Sequence, residues 1–297
     1  MAQEYGKILL SLGKQITVIG RSAESVAKFQ GQFENIVCYH GGLENNQHVL
    51  SAITHWILAT PVIQLSEHLI ILLRNEVSNI LIEKPGPSCY DDWLTINELK
   101  GKSKISIAYN RRFYPHVQWL RSEFEDDPLL SFHFEFTEWS HKILPLNKDH
   151  RELNRWLVAN SSHVIDLAFY LGGKPTELHS MVSQPLGWHP FGVFSGCGKT
   201  EKELPFSYHA NWLSAGRWSL LLMTRKFQYV LRPMEELKRI PLGSIHEEKV
   251  EEANIQSHFK LGLLPMVEAW LLGDLSNFPN FSEYGDQLHL YDKIGNG

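Results

Sequence analysis

Glu83-Lys84-Pro85 is the first place where this sequence offers chemistry. It closes an apolar run, Asn79 to Ile82, that reads as a buried parallel strand. Ligands of doubly wound sheets bind in the crevice beyond the carboxyl ends of such strands. A lysine aimed into that crevice loses hydration, which lowers its pKa. It can then exchange a proton with a substrate hydroxyl near neutral pH. The competing reading is a surface lysine ahead of a loop proline, and the tripeptide alone is a weak motif.

Three further clusters share this ambiguity. Ala59-Thr60-Pro61 ends the preceding strand. A small residue there lets a dinucleotide backbone approach, and proline starts the next helix where its missing donor costs nothing. Tyr109-Asn110-Arg111-Arg112-Phe113 leaves the last parallel strand. Its two guanidinium groups suit an anionic or polyhydroxyl substrate, or equally a salt-bridge cluster between domains. Asn160-Ser161-Ser162-His163-Val164-Ile165-Asp166 places His163 and Asp166 three apart on one helix face. Asp166 could orient the imidazole, or bond elsewhere and leave His163 a core residue.

The elements that must position these residues follow from periodicity. An apolar stripe of Met1, Tyr5, Ile8, Leu9 and Leu12 predicts a first helix, with Gly13 at its C-terminus. Strands at 15–19, 35–39, 55–59, 79–82 and 104–109 alternate with helices at about 23–33, 45–53, 62–74 and 90–99. That alternation means a parallel, doubly wound sheet. Ser22 is placed to cap the second helix. After Tyr109 the pattern changes. A helix is expected at 115–125, and 131–138 alternates strictly with Phe132, Phe134 and Phe136 on one face. A helix at about 152–171 ends at Gly172-Gly173, and strands dominate 177–231. Helices at about 255–272 and 282–294 complete the chain.

The ordered set of ATP, EKP, YNRRF and SHVID, at these spacings, resembles the glucose-fructose oxidoreductase / inositol dehydrogenase (Gfo/Idh/MocA) family over nearly the whole chain. The resemblance implies a Rossmann-like α/β doubly wound parallel sheet, N-terminally truncated, over residues 1–110. It also implies an α+β C-terminal domain with an open, mainly antiparallel sheet over 111–297. It gives Lys84 the role of proton shuttle, with His163 assisting. It places Arg111, Arg112 and Asn160 at the substrate, and Ala59, Thr60, Pro61, Glu83, Lys84 and Tyr109 at the cofactor. The implied reaction is hydride transfer between a sugar or nucleotide-sugar carbon and NADP or NAD, with surface-polysaccharide synthesis as a setting.

Three departures qualify this. The family opens with a strand and a glycine-rich turn, roughly a dozen residues that cradle the pyrophosphate; here Met1-Ala2 falls where that turn should end. Loss of a central strand would leave two apolar sheet edges unpaired. Either the natural chain starts further upstream, or the protein is a non-catalytic binding or scaffold relative that has lost cofactor binding. Second, the family's Asp four residues before the histidine is Ala159 here, so the relay loses a carboxylate. Third, Gly20-Arg21-Ser22 stands where an NAD enzyme carries an acid, and Arg21 with Ser22 suits a 2′-phosphate. An exposed arginine beside a helix cap explains those two residues equally well.

Other signals are decoys. Gly196-Cys197-Gly198-Lys199-Thr200 has no glycine at the required spacing for a phosphate loop and reads as a hairpin or surface turn. Fifteen histidines contain no metal-ligand spacing. Cys38, Cys89 and Cys197 form no framework and fit a reducing compartment. With a formal charge of −5 and 43% hydrophobic residues, the chain suits neither nucleic acid nor disorder. No signal peptide and no apolar run of membrane length is evident, so the expectation is a cytoplasmic protein without a membrane partner. Assembly as a homodimer or homotetramer through the open sheet follows from the resemblance.

Overall fold

A computed structural model describes residues 1–33, 36–255 and 257–297. The chain divides into two compact units, each built from two segments: 1–108 with 258–285, and 109–257 with 286–297. The sequence suggests one boundary near 110; the late segment instead returns to the first unit because its apolar faces are needed there. Helix α9 (Leu263–Leu272) packs on α1 (Ala2–Ser11), and Trp270 meets His55 edge-on at 5.2 Å. Trp93 Nε1 donates to Phe281 O at 2.8 Å.

In the first unit, α1 buries Tyr5 and Ile8, and Gly13 at φ +67° ends it. Lys14 N donates to Leu9 O and Gly13 N to Leu10 O, the paired C-terminal bonds that this conformation permits. Parallel strands β1 (Thr17–Ile19) and β2 (Val37–Tyr39) flank α2 (Ala23–Gln30). Ser22 caps α2, accepting from Ser25 N at 3.2 Å. Strands β3 (His55–Leu58), β4 (Asn79–Glu83) and β5 (Lys104–Ala108) form a second parallel sheet. Helices α3 (Leu65–Arg74) and α4 (Tyr90–Leu99) connect them. The helix expected at 45–53 is a 3-10 segment, Glu44–Ala52, and α3 opens with a 3-10 turn at Val62–Gln64. Asn35, in the expected second strand, and Gln256, in the expected helix at 255–272, lie outside the described residues.

Among the described residues the two parallel sheets do not join. Between the edges of β1 and β3 lies a cavity of about 570 Å³, lined by Tyr5 and Leu9 from α1, Val18 and Ile19 from β1, and Trp56 and Leu58 from β3. The unpaired edges expected for a doubly wound sheet without a central strand are therefore present.

The second unit is an open eight-stranded sheet. Its strands are β6 (Ser131–Glu135), β7 (Pro175–Ser183), β8 (Val193–Thr200), β9 (Pro205–Asn211), β10 (Ser219–Met223), β11 (Phe227–Leu231), β12 (Lys238–Pro241) and β13 (Glu248–Lys249). Their order is β13-β12-β11-β10-β6-β9-β8-β7, and only the β6–β9 pair is parallel. Phe132, Phe134 and Phe136 are fully buried, as the alternation requires. They face Phe169 of α8 (Ser162–Gly172) and Phe206 and Tyr208 of β9. Before α8 come α5 (Pro115–Asp126) and two one-turn helices, α6 (Ser140–Ile143) and α7 (His150–Leu153). The continuous helix expected at 152–171 is interrupted by a π-helical turn, Leu157–Ser161. Helix α10 (Tyr284–Asn296) starts in the first unit, and its residues from 286 onward belong to the second. Among the described residues no helix is long and apolar enough to cross a membrane.

Gly196 and Gly198 serve strand packing. A Cβ at Gly198 would run into the backbone carbonyl of Glu177 on β7, and one at Gly196 into His179 O and the Tyr208 ring. The segment is part of β8 and turns at Glu201-Lys202 into β9, the hairpin expected from the sequence.

Candidate functional site

The sequence-predicted residues fall in both units. In the first, the ends of β1 and β3 open into the 570 Å³ cavity, and Gly20, Arg21, Ala59, Thr60 and Pro61 line that end of it. Arg21 is exposed, whereas the Ser22 hydroxyl is engaged in its capping box with Ser25. Thr60 Oγ1 lies 3.1 Å from His68 Nδ1 on α3, which fixes the hydroxyl at the strand end. Gly41 and Gly42 carry the opposite wall at φ +96° and +78°, where a side chain would be strained.

Glu83 and Lys84 sit at the end of β4, and the Lys84–Pro85 peptide is cis. The Tyr5 hydroxyl donates to Glu83 Oε1 at 2.6 Å. Burial and the Glu83 charge push the Tyr5 phenol well up, so it stays a donor. Tyr284 OH donates to Pro85 O at 2.6 Å and ties the turn to the start of α10. Lys84 itself is half-buried.

In the second unit, His163 projects from the first turn of α8. Tyr109 meets it edge-on at 6.1 Å, and Trp218 lies 6.1 Å away at an interplanar angle of 52°. Tyr109 is buried and its hydroxyl is 3.1 Å from that of Tyr291. The two arginines of the YNRRF segment have different environments. Arg112 donates from Nε and Nη2 to Asp166 at 2.9 and 2.6 Å, and its guanidinium lies 4.7 Å over Tyr170. Asp166 also accepts from Gln287 at 2.8 Å. Of the two roles open to Asp166, the structure therefore has it bonding away from His163. Arg111 contacts Glu235 at 3.4 Å and lies 5.0 Å over the Trp218 ring.

Asn160 lies in the π-helical turn, and such turns are frequent at functional sites because they re-aim side chains. Its Nδ2 donates to Glu138 Oε1 at 2.9 Å. Ala159, where the resemblance calls for a carboxylate, is buried.

No family model matches the sequence, and no curated protein matches it either. Solved structures do. A levoglucosan dehydrogenase in complex with NADH superimposes with a TM-score of 0.75 at 16% identity, covering 94% of this chain and 87% of the other. A Gfo/Idh/MocA oxidoreductase from Vibrio cholerae gives 0.74 at 14% identity, with 95% and 88% covered. A UDP-N-acetylglucosamine 3-dehydrogenase from Acidithiobacillus ferrooxidans gives 0.69 at 12%, with 94% and 96% covered. This chain has the Gfo/Idh/MocA fold.

Three residues of the second unit of this Gfo/Idh/MocA fold escape a motif-based reading: Glu138, Arg217 and Trp218. Glu138 is 2% exposed and accepts from Asn160, from Ser161 Oγ at 2.8 Å, from Trp218 Nε1 at 3.3 Å and from Arg217 Nη1 at 3.3 Å. Burial pushes its carboxyl pKa up, against the lowering pull of these donors. A signal for it was available. Glu138 shares the parity of Phe132, Phe134 and Phe136, so it is an acid on the apolar face of an alternating segment. Arg217 and Trp218 have no such signal, because nothing in their local spacing links them to Glu138.

Proposed function

We propose that this chain is a nicotinamide-dependent sugar oxidoreductase, transferring a hydride between a carbinol carbon of a sugar or nucleotide sugar and NADP or NAD. The observation that carries this is the likeness over the chain's length to solved dehydrogenases, of which one is described as bound to NADH and levoglucosan and another as acting on UDP-N-acetylglucosamine. The lining of the first unit fits part of a dinucleotide. Arg21 offers a guanidinium at the end of β1, and Ala59 leaves room at the end of β3. Among the described residues no glycine-rich turn precedes α1, which begins at Ala2. A bound nicotinamide would supply the acceptor or donor of the hydride.

The residues' own part is proton handling and orientation. Lys84 takes the hydroxyl proton when the alcohol is oxidised and returns it on reduction. His163 assists as a second proton carrier, oriented by the Tyr109 and Trp218 rings. Arg111 and Asn160 hold substrate oxygens. Arg112, committed to Asp166, acts by holding the YNRRF segment against α8. Tyr109 and the Ala59–Pro61 turn serve the nicotinamide end. A place in surface-polysaccharide synthesis, in the cytoplasm, and self-association as a homodimer or homotetramer belong to the same proposal. Turnover of Lys84→Met tests it: a drop of about a hundredfold or more with cofactor affinity retained supports the role, and near-wild-type turnover removes it.

A second reading is a binding or scaffold protein without catalysis. The cavity between β1 and β3, where a doubly wound sheet would be continuous, favours it. A folded chain that binds a sugar but neither dinucleotide would establish it.

A further inference from the structure

Around Glu138 the second unit builds a stack of alternating rings and guanidinium groups. The Arg217 guanidinium lies 4.8 Å from the Trp139 ring centre and 4.5 Å from that of Trp218. Arg111 lies 5.0 Å from Trp218 and 5.8 Å from Tyr114. Both cations are thus held over aromatic faces within the range where the ring quadrupole attracts them. Each also touches one carboxylate through a single long contact, Arg217 to Glu138 at 3.3 Å and Arg111 to Glu235 at 3.4 Å. Neither pair has the two-pronged geometry in which a carboxylate occupies the guanidinium fork. The Arg112–Asp166 pair in the same unit does have it.

The polar atoms that remain point to a ligand. Among the described residues Glu138 is the sole hydrogen-bond partner of Arg217, whose side chain is 41% exposed. Asn160 gives its Nδ2 to Glu138, which leaves Oδ1 as an acceptor. Glu138 itself is enclosed and saturated by four donors, so its role is to fix Asn160, Ser161, Trp218 and Arg217. Trp139, 40% exposed, caps the stack and is pinned through Nε1 to Gly216 O at 2.7 Å.

We propose that Arg217, ordered by Trp139, Trp218 and Glu138, forms a subsite for a negatively charged substituent of a sugar, a carboxylate or a phosphate, with Asn160 Oδ1 accepting from a neighbouring hydroxyl. The proposal rests on the sugar-oxidoreductase reading and narrows its substrate class to acidic sugars. Arg217 and Asn160 are binding residues in this account, and Glu138 is a positioning residue.

Calorimetric titration of the full chain with D-glucose, D-glucuronate and D-glucose 1-phosphate tests it. Wild type should bind at least one charged sugar at least tenfold more tightly than glucose, and the tighter of the two tells carboxylate from phosphate. Arg217→Gln should remove that preference. Asn160→Ala should weaken charged and neutral sugars by the same factor. Glu138→Gln, which keeps the shape but removes the charge that holds Arg217, should lower the preference while glucose binding is retained, a split that mere loss of packing would not produce. Each variant is compared at equal circular-dichroism spectrum and unfolding midpoint. Equal binding of charged and neutral sugars, no binding of any, or a preference unchanged in a folded Arg217→Gln overturns the inference. Dinucleotide binding is read separately. If it is found without a charge preference, the subsite is wrong and the oxidoreductase reading stands. If it is absent while acidic sugars bind, the oxidoreductase reading fails and the subsite stands.

Discussion

Arg112 and Asp166 form a two-pronged pair inside the second unit, with Nε and Nη2 at 2.9 and 2.6 Å from the carboxylate and side chains 11% and 1% exposed. Breaking one partner strands the other's charge in a poorly hydrated place, which typically costs ~3–5 kcal/mol. Arg112→Ala and Asp166→Ala should each lower the urea-unfolding free energy by about that amount. The double change to Met and Leu should cost less than either alone, because no charge is left behind. Losses below about 1 kcal/mol for the single changes would show that the pair is not structural.

The same pair shows what was legible in the sequence. Its partners are far apart in the chain, so YNRRF and SHVID suggested a substrate role and a His–Asp pairing from local spacing alone. The parallel strands and the Phe132/Phe134/Phe136 face were readable, because period and burial coincide there. The π-helical turn at Leu157–Ser161 was not, since one inserted residue in an apolar stretch barely disturbs the helical pattern. The Glu138 cluster was half-legible: its parity is visible, but Arg217 and Trp218 reach it through the β6–β10 pairing.

His116 is 1% exposed and its Nε2 lies 3.1 Å from Met234 O, a contact that requires a proton on Nε2. Burial pushes its pKa down from 6.5 to about 4. Between those values the unfolded chain binds a proton that the folded chain refuses, so stability should fall as pH drops from 6.5 to 4. The loss should reach on the order of 3 kcal/mol at the acid end. His116→Gln, which keeps a donor for Met234 O, should flatten that slope. An unchanged slope in the variant would assign it to other groups.

The separated parallel sheets predict uneven amide protection. β4 is paired on both sides, whereas β1 and β3 each have one paired edge. In hydrogen exchange the cavity-facing amides of β1 and β3 should exchange about a hundredfold faster than those of β4. Equal protection would mean that this slot is filled in solution.

Gly198 offers a check on the strand-packing account of the glycine-rich segment. Gly198→Ala forces β7 and β8 apart, because the added methyl meets the carbonyl of Glu177. A loss of about 1–3 kcal/mol is expected on thermal unfolding. A neutral substitution would contradict the close approach.

The most direct test of the central claim is a calorimetric titration of the 297-residue chain with NADPH and then NADH. The account predicts micromolar binding of at least one, with Arg21→Ala weakening NADPH more than NADH. Absence of binding to either, by a chain shown to be folded, would contradict a nicotinamide-dependent oxidoreductase in this form.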